Sequence, residues 1–360
     1  MTDRARPSRT RRQLLVAAAG VTVVLGVSAV WVGVHRVPWL GPRLHEAGVA
    51  VFGRAAMGWI ERIAYAADAG WNKLWGLDER PEAYWNLPEP AASASGSTGV
   101  ASMPAWTLHS PGPMVFAPFS KDDGLWLPIA ESSDGRGALA YRMALHPNGD
   151  QAGALLKIVA FDRSRTETRL APGRAIPGQR GQVPEAERAR LVAMVIPGDR
   201  PARGGYGLSM DGAVLQRPKA TACVVWRDAS GMLGIGYWQS GDASPASGQW
   251  WMQAPRCVLD QGELQPGVDD GAVWGGRRTI LALSRDGQVL FAAVAMNTTE
   301  VMAGRALRHA GVWEAALIAT GDERGNVLLP GAGALLEDGG EGEDPLRARD
   351  ATFVYVLRKE

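Results

Sequence analysis

"GRRTILALSRDGQVLFAAV", Gly276–Val294, is the stretch that decides the fold. Thr279–Ser284 and Val289–Val294 are rich in aliphatic residues, and Asp286-Gly287 stands between them. An Asp-Gly pair flanked by apolar runs is a strong signal for two antiparallel strands joined by a tight turn. The stretch therefore predicts a β-hairpin, and this hairpin is the best defined in the sequence.

A helix is predicted directly after this hairpin. Asn297 is suited to the N-cap position, and Glu300 follows three residues later, as in a capping box. The helix should run to about Ala310 and stop at Gly311. Val312–Ile318 then predicts another strand.

Strands are also predicted over most of the remaining C-terminal part. The predicted segments are Ala154–Asp162, Val192–Ile196, Tyr206–Met210, Ala213–Leu215, Thr221–Trp226, Leu233–Tyr237 and Thr352–Leu357. Asp211-Gly212 and Ala229–Gly231 supply turns for two further hairpins. The 45 glycines and 23 prolines also favour strands and turns over a helical bundle. The sequence therefore predicts an α+β fold, strand-rich, with a mixed sheet and few helices.

The N-terminus carries an uncharged apolar run, Leu14–Val34. Its 21 residues match the ~20 that a helix needs to cross a bilayer. Residues 1–13 form a basic tail, whereas few basic residues follow the run closely. The positive-inside bias therefore predicts a cytoplasmic tail, a single pass through the inner membrane, and the bulk of the chain in the periplasm or outside.

A cleaved signal peptide is the alternative interpretation of this run. Thr10–Leu15 resembles part of a twin-arginine export signal, and Val27–Ala29 offers a cleavage site. The run is longer than the core of an ordinary signal peptide, which favours an uncleaved anchor. Both interpretations place the bulk of the chain outside the cytoplasm.

Two segments separate this run from the predicted domain. Residues 44–76 predict an amphipathic helix, because apolar residues recur there at steps of three and four. These residues are Val49, Phe52, Ala56, Ile60, Ile63, Ala67 and Leu74. The helix either lies on the bilayer or packs against the domain, and its mixed charges favour packing. Residues 88–104, rich in Pro, Ala, Ser and Gly, predict a linker, so the folded domain covers residues 106–360.

Charge and cysteine content exclude several function classes. The net charge of +1 gives no basic surface for nucleic acid. Cys223 and Cys257 lack the spacing of a metal site, and in an oxidising compartment they form either a disulfide or two buried thiols. The acidic residues of 336–345 lack the spacing of a calcium loop. The sequence predicts neither a metal site nor a cofactor.

Five motifs, in this serial order, resemble the phosphodiester glycosidase family. They are "YRMALHPNG" (Tyr141–Gly149), "KIVAFDRSRTETRLAPG" (Lys157–Gly173), "GGYGLSMDG" (Gly204–Gly212), the opening hairpin stretch, and "ALIATGDERGNVLLPG" (Ala316–Gly331). Family members cleave a sugar from a phosphodiester, and bacterial members are associated with exopolysaccharide and envelope glycans. The resemblance therefore implies an exported protein whose partner is an envelope polysaccharide or another glycan phosphodiester.

The sequence departs from the family at the motifs that carry the chemistry. Where the family has Asn-Gly-Gly-Phe, this chain has Ile196–Asp199, so an amide side chain is replaced and Pro197 removes a backbone donor. Where the family has Leu-Asp-Gly-Gly, this chain has Ala319–Asp322. The family aspartate is thus either lost or displaced to Asp322.

The candidate site residues follow from these comparisons. Glycosyl cleavage generally needs two carboxylates, and Asp199 and Asp322 are the candidates because both follow strands that the resemblance brings to one rim. Arg278, with Arg277 as the second choice, is the candidate phosphate ligand, since a guanidinium matches phosphate oxygens. The alternative for each is an ordinary surface residue.

Other residues of these segments are candidates for binding phosphate or sugar. Gly198 and Gly205 allow close approach of backbone to a ligand, and His146 is either a general base or a surface imidazole. Trp238, with Trp250, Trp251 and Trp274, forms either a platform for sugar rings or part of the core.

Three functions remain open from the sequence. The departures favour a membrane-anchored, catalytically degenerate relative of phosphodiester glycosidases that binds a cell-surface glycan or a protein partner. The first alternative is an active hydrolase with a rebuilt site at Asp199 and Asp322. The second is a structural envelope protein that docks on a partner through residues 44–76.

Overall fold

The computed structural model describes part of the chain in two compact units, Met1–Ile63 and Ala64–Glu360. The described residues are 22, 26, 44, 47–48, 50–53, 56, 59–60, 63, 108–115, 120–131, 137–147, 154–197, 206–220, 222–237, 249–265, 277–320, 325–330, 333–334 and 346–360. No helix formed by these residues is long and apolar enough to span a membrane. The predicted membrane segment 14–34, apart from Thr22 and Gly26, and the predicted linker 88–104 lie outside them.

The second unit consists mainly of strands. In chain order they are β1 (Leu127–Glu131), β2 (Ala138–Leu145), β3 (Leu155–Asp162), β4 (Thr166–Ala171), β5 (Leu191–Ile196), β6 (Leu208–Met210), β7 (Ala213–Gln216), β8 (Cys223–Arg227), β9 (Leu233–Tyr237), β10 (Trp250–Ala254), β11 (Arg256–Asp260), β12 (Glu263–Leu264), β13 (Arg277–Ser284), β14 (Val289–Met296), β15 (Val312–Thr320), β16 (Asn326–Leu329), β17 (Gly333–Ala334) and β18 (Phe353–Arg358). A 3-10 helix covers Glu185–Arg190, and helix α1 covers Glu300–His309.

The strands form three sheets. Sheet A has eight strands in the order β1-β2-β3-β14-β13-β15-β11-β12, sheet B has the order β17-β16-β5-β18-β4, and sheet C has the order β7-β6-β10-β8-β9. Among the described strands every ladder is antiparallel. The predicted mixed sheet is therefore wrong. Many neighbouring strands follow one another in the chain, and short turns between such strands reverse the chain direction.

The β13–β14 hairpin lies in the middle of sheet A, as the Asp-Gly signal predicted. Both strands are almost wholly buried. Asp286 closes the turn, because its carboxylate accepts hydrogen bonds from the Ser284 hydroxyl at 2.6 Å and from the Gln288 backbone N–H at 3.0 Å. Local turn chemistry and apolar flanks therefore suffice to specify this hairpin.

The two faces of sheet A belong to different parts of the core. Leu281 and Leu283 contribute to an inner core between sheet A and sheets B and C. Ile280 and Ala282 contribute to a helix-side core that includes α1. Side chains along a strand alternate between the two faces of a sheet, so each residue of β13 can be assigned to one of these environments.

A disulfide joins sheets A and C. Cys257 in β11 is bonded to Cys223 in β8, with the two Cα atoms 5.1 Å apart, and both residues are fully buried in the inner core. Of the two states that the sequence left open, a disulfide or two buried thiols, the structure has the disulfide.

Helix α1 begins at a different residue from the one predicted. Thr299, and not Asn297, is the N-cap, because the Thr299 hydroxyl accepts from the Met302 backbone N–H at 3.1 Å. Asn297 instead adopts a left-handed conformation, with φ 47°, at the turn between β14 and the helix. The predicted C-terminal stop is confirmed, since the C-cap is Ala310 and Gly311 follows with φ 88°.

Candidate functional site

Several strands of sheet A end together, and we call this end the rim. Its register pairs Leu155 with Met296, Met296 with Arg277, and Arg278 with Thr320. The end of β14, the start of β13 and the end of β15 are therefore side by side.

Sheet B is attached to sheet A at this rim. The Thr279 hydroxyl donates to the backbone carbonyl of Ile196 at 3.4 Å. One Arg277 Nη donates to the backbone carbonyl of Gly325 at 3.2 Å. These bonds hold the end of β5 and the residue before β16 against the start of β13. The strands that precede Asp199 and Asp322 in the sequence therefore both end at the rim.

Several predicted site residues cannot be placed by the structure. Asp199, Asp322, Gly198, Gly205 and Trp238 lie outside the described residues. Their proposed roles remain predictions.

Arg277 and Arg278 face opposite sides of sheet A. Arg277 shares a face with Thr279, whose hydroxyl reaches sheet B. Arg278 pairs with Ala295, a member of the helix-side core. Both arginines are buried, at 9% and 4% exposure respectively. Arg277 therefore lies on the side of sheet A that meets sheet B, and a phosphate-binding role for either arginine remains a prediction.

Ile196 has a structural reason to be aliphatic. Its side chain is fully buried in a third apolar cluster on the far face of sheet B, together with Met194, Leu328 and Phe353. The position at which the family that the sequence resembles has an amide is therefore a core position in this chain. Its backbone carbonyl, which accepts from Thr279, still takes part in the rim.

A buried amide that the sequence analysis missed stands on the neighbouring strand. Asn326 pairs in register with Ile196 and is 5% exposed. Its Oδ1 accepts from the Val327 backbone N–H at 2.8 Å. Asn326 lies within the last of the family-like motifs, but only the strand register shows that it is paired with Ile196.

The segment that contains Asp199 is held where it enters sheet C. The buried Gln253 side chain accepts from the backbone N–H groups of Gly207, at 2.9 Å, and Lys219, at 2.8 Å, and donates to the Lys219 carbonyl at 2.7 Å. A Cβ on Gly207 would approach Pro218 Cα to 2.6 Å, so this crossing requires glycine. We call these hydrogen bonds of Gln253 to Gly207 and Lys219 the clamp. Together with the bond from Thr279 to Ile196, the clamp holds both flanks of residues 198–205.

A cation lies beside this clamp. The Lys219 ammonium is 4.6 Å from the centroid of the Tyr206 ring, within the range of a cation–π contact. Neither this pair nor Gln253 could be predicted from the sequence, because all three residue types are ordinary in a loop or strand.

His146 is buried inside the domain and does not lie at the surface. It directly follows β2 and is 2% exposed. Its backbone N–H donates to the Asp123 carboxylate at 3.2 Å. The surface-imidazole interpretation is wrong, because His146 is buried where the Asp123–Gly124 segment bonds to the end of β2.

The tryptophans of β10 do not form a sugar platform. Trp250 and Trp251 are 3% and 2% exposed, and Trp250 belongs to the inner core. Tyr237, at the end of β9, is the partly exposed aromatic side chain of this sheet edge. Burial, and next the Asp260 carboxylate, raise the pKa of its phenol.

The described part of the chain contains no set of side chains arranged to bind a metal ion. No group of three or more His, Cys, Asp or Glu side chains there could hold a metal ion. The described residues at the rim contribute arginine, amide, hydroxyl and backbone groups.

Comparisons with known proteins give distant structural likenesses. No protein-family model matches the sequence, and no curated protein sequence matches it. The catalytic domain of zebrafish N-acetylglucosamine-1-phosphodiester alpha-N-acetylglucosaminidase, auto-inhibited by its pro-peptide, is 12% identical, with a TM-score of 0.46 over 65% of this chain and 88% of that chain.

Two bacterial structures show weaker likenesses. A hypothetical protein from Synechocystis is 12% identical, with a TM-score of 0.42 over 61% of this chain and 62% of that one. A Burkholderia pseudomallei protein for which export is proposed is 12% identical, with a TM-score of 0.38 over 58% and 75%. These values describe a distant relationship of fold and carry no information on the ligand.

Proposed function

We propose that the strand-rich domain binds a glycan phosphodiester at the rim and hydrolyses it slowly or not at all. The family-like motifs between Tyr141 and Leu329 suggest the ligand class. The observation that carries the proposal is the position of Arg277. Its guanidinium is buried beside Gly325, on the side of sheet A that is bonded to sheet B.

Arg277 has the chemistry that a phosphodiester requires. A guanidinium presents its N–H donors in a planar fork that matches two phosphate oxygens at once. The bond to the Gly325 carbonyl limits its rotation, so less side-chain entropy is lost when a ligand binds. An anion at the rim would also gain from the low local dielectric around a buried cation.

The proposal of weak or absent hydrolysis rests on what the rim lacks. The Ile196 side chain is buried in the core, and Pro197 has no backbone N–H that could donate to a sugar or phosphate oxygen. Cleavage with two carboxylates requires them about 5–9.5 Å apart. Asp199 and Asp322 are the pair that an active enzyme would use, since the preceding strands end at the same rim.

We also propose that the domain lies outside the cytoplasm and is anchored by Leu14–Val34. The disulfide between Cys223 and Cys257 supports this location, because disulfides persist mainly in oxidising compartments. The charge asymmetry around the apolar run supports the orientation.

One assay tests binding and hydrolysis together. The full chain is titrated with the methyl phosphodiester of N-acetylglucosamine 1-phosphate, and released free sugar is measured in the same samples. We expect saturable binding and no release above the rate without protein. Arg277→Ala should weaken binding by roughly 10- to 100-fold, the equivalent of one charge-assisted hydrogen bond.

Controls separate this result from misfolding and from catalysis. Arg305→Ala removes an exposed arginine of α1 and should leave the affinity unchanged, while thermal unfolding reports whether Arg277→Ala remains folded. Sugar release that Asp199→Asn and Asp322→Asn both reduce would establish the active alternative. Absence of binding would reject both functions.

A further inference from the structure

The first unit exposes a row of large apolar side chains. Trp59, Ile60 and Ile63 are helical and 60%, 41% and 49% exposed. Ala56, one turn earlier, is also helical and exposed. We call Ala56, Trp59, Ile60 and Ile63 the apolar stripe.

The stripe occupies one face of its helix. Its spacing of three, one and three residues places all four side chains within a narrow arc, because an α-helix has about 3.6 residues per turn. The charged residues of this part of the sequence are Arg54, Glu61 and Arg62, and their spacing predicts that they lie away from the stripe in a regular helix. The sequence therefore predicts an amphipathic helix, and the apolar side chains of it that the structure describes are exposed.

The position of the stripe in the chain identifies the surface that can cover it. Nine residues, His35–Arg43, separate the apolar run Leu14–Val34 from Leu44, the next residue described as helical, and the stripe follows Gly53, which is not helical. An extended chain of this length spans at most about 30 Å. A run that crosses the bilayer therefore keeps the helix close to the membrane surface.

We propose that the apolar stripe lies in the headgroup–acyl boundary of the bilayer leaflet that faces the folded domain. Interfacial helices of this kind place Trp and aliphatic residues in the boundary and charged residues toward water. Trp59 suits that depth, since its indole combines a large apolar ring with an N–H donor. This inference rests on the proposed anchor Leu14–Val34, and it predicts that the helix lies parallel to the membrane plane.

A second copy of the chain is a poorer partner for the stripe. Among the described residues the stripe covers about two helical turns, and stable protein interfaces bury about 1,200–2,000 Å² in total. A helix pair built on one Trp and two Ile per chain does not approach that area. A bilayer imposes no such minimum, because the anchor already keeps the helix at its surface.

Spin labels on the full chain test this proposal. Trp59→Cys and Ile63→Cys are compared with Glu61→Cys and Arg62→Cys as matched controls, in vesicles of phosphatidylcholine and phosphatidylglycerol. Cys223 and Cys257 do not react, since they are buried and bonded to each other. Collision of each nitroxide with oxygen, which concentrates in the bilayer, and with a water-soluble nickel chelate then reports its environment.

We expect the labels at 59 and 63 to collide more with oxygen than with the nickel chelate, and those at 61 and 62 to show the reverse. Water exposure at all four positions would overturn the proposal, whether or not the apolar run is cleaved. Shielding of 59 and 63 from both reagents would show packing against protein. Spin–spin broadening that disappears on dilution with unlabelled chain would assign the stripe to a second copy.

Discussion

The hydroxyl of Thr279 donates to the backbone carbonyl of Ile196, and this bond joins sheets A and B, which share no ladder in the described structure. Thr279 is 1% exposed, so water cannot replace the bond at low cost. The contact ties the strand before Pro197 to the strand that carries Arg277. The shape of the rim therefore depends on it.

Replacement of Thr279 by valine should weaken both the fold and the rim. Valine has nearly the same shape but leaves the Ile196 carbonyl without this donor, at a cost of about 1 kcal/mol in the free energy of unfolding. Denaturant titration measures this cost, and phosphodiester affinity should fall in parallel. Thr279→Ser retains a hydroxyl and should preserve most of the affinity. Equal affinity in the valine variant and the wild type would contradict a role for this contact in the rim.

Removal of the disulfide should destabilise the contact between sheets A and C. The two cysteines are 34 residues apart in the sequence, and closing loops of this order stabilises proteins by about 2–4 kcal/mol. The double variant Cys223→Ala, Cys257→Ala should therefore unfold at lower denaturant concentration. Wild type treated with reductant is the matched comparison. An unchanged unfolding midpoint in both samples would show that the bridge does not stabilise this interface.

Gln253→Ala should release the clamp at the entry to sheet C. The backbone N–H groups of Gly207 and Lys219 would lose their buried acceptor, which costs about 1–3 kcal/mol for each unsatisfied group. Phosphodiester affinity should also fall, because residues 198–205 would lose one fixed flank. Gln288→Ala, at an exposed turn position, is the control and should change neither quantity. An unaltered affinity in folded Gln253→Ala protein would remove the clamp from the binding site.

Asp286 gives the hairpin a specific pH dependence. The hydrogen bond from Ser284, and then the one from the Gln288 backbone N–H, hold the pKa of its carboxyl below the ordinary value of 3.8, with burial partly opposing them. Because the folded pKa is the lower one, the stabilisation is complete above 3.8 and disappears as pH falls through the folded pKa. Asp286→Ala should cost up to about 1 kcal/mol at neutral pH. Urea unfolding at neutral and acidic pH should show that this cost shrinks in acid, and a constant cost would contradict the assignment.

The sequence predicted the features that depend on neighbouring residues. The Asp286-Gly287 hairpin and the helix stop at Gly311 require only local turn chemistry, and both are present in the structure. The capping position was misplaced because Asn297 and Thr299 are both good capping residues, and only the left-handed turn at Asn297 decides between them.

The rim could be predicted only in part, because its contacts are between distant segments. The register of β13 against β14 is needed to assign Arg277 and Arg278 to opposite sides of sheet A, and the sequence alone does not contain it. Ile196 looked like a lost ligand, whereas packing in sheet B explains its side chain. Gln253 carries no local signal, since its three partner atoms belong to residues at least 34 positions away in the sequence.

The most direct test of phosphate recognition by Arg277 compares two ligands and two proteins. Calorimetry gives the dissociation constants of the methyl phosphodiester of N-acetylglucosamine 1-phosphate and of neutral methyl N-acetylglucosaminide, each for wild type and Arg277→Ala. We predict that wild type prefers the phosphodiester by roughly tenfold or more, the value of a charge-assisted hydrogen bond, and that the variant has no preference. An equal preference in wild type and a folded Arg277→Ala protein would contradict phosphate recognition at the rim.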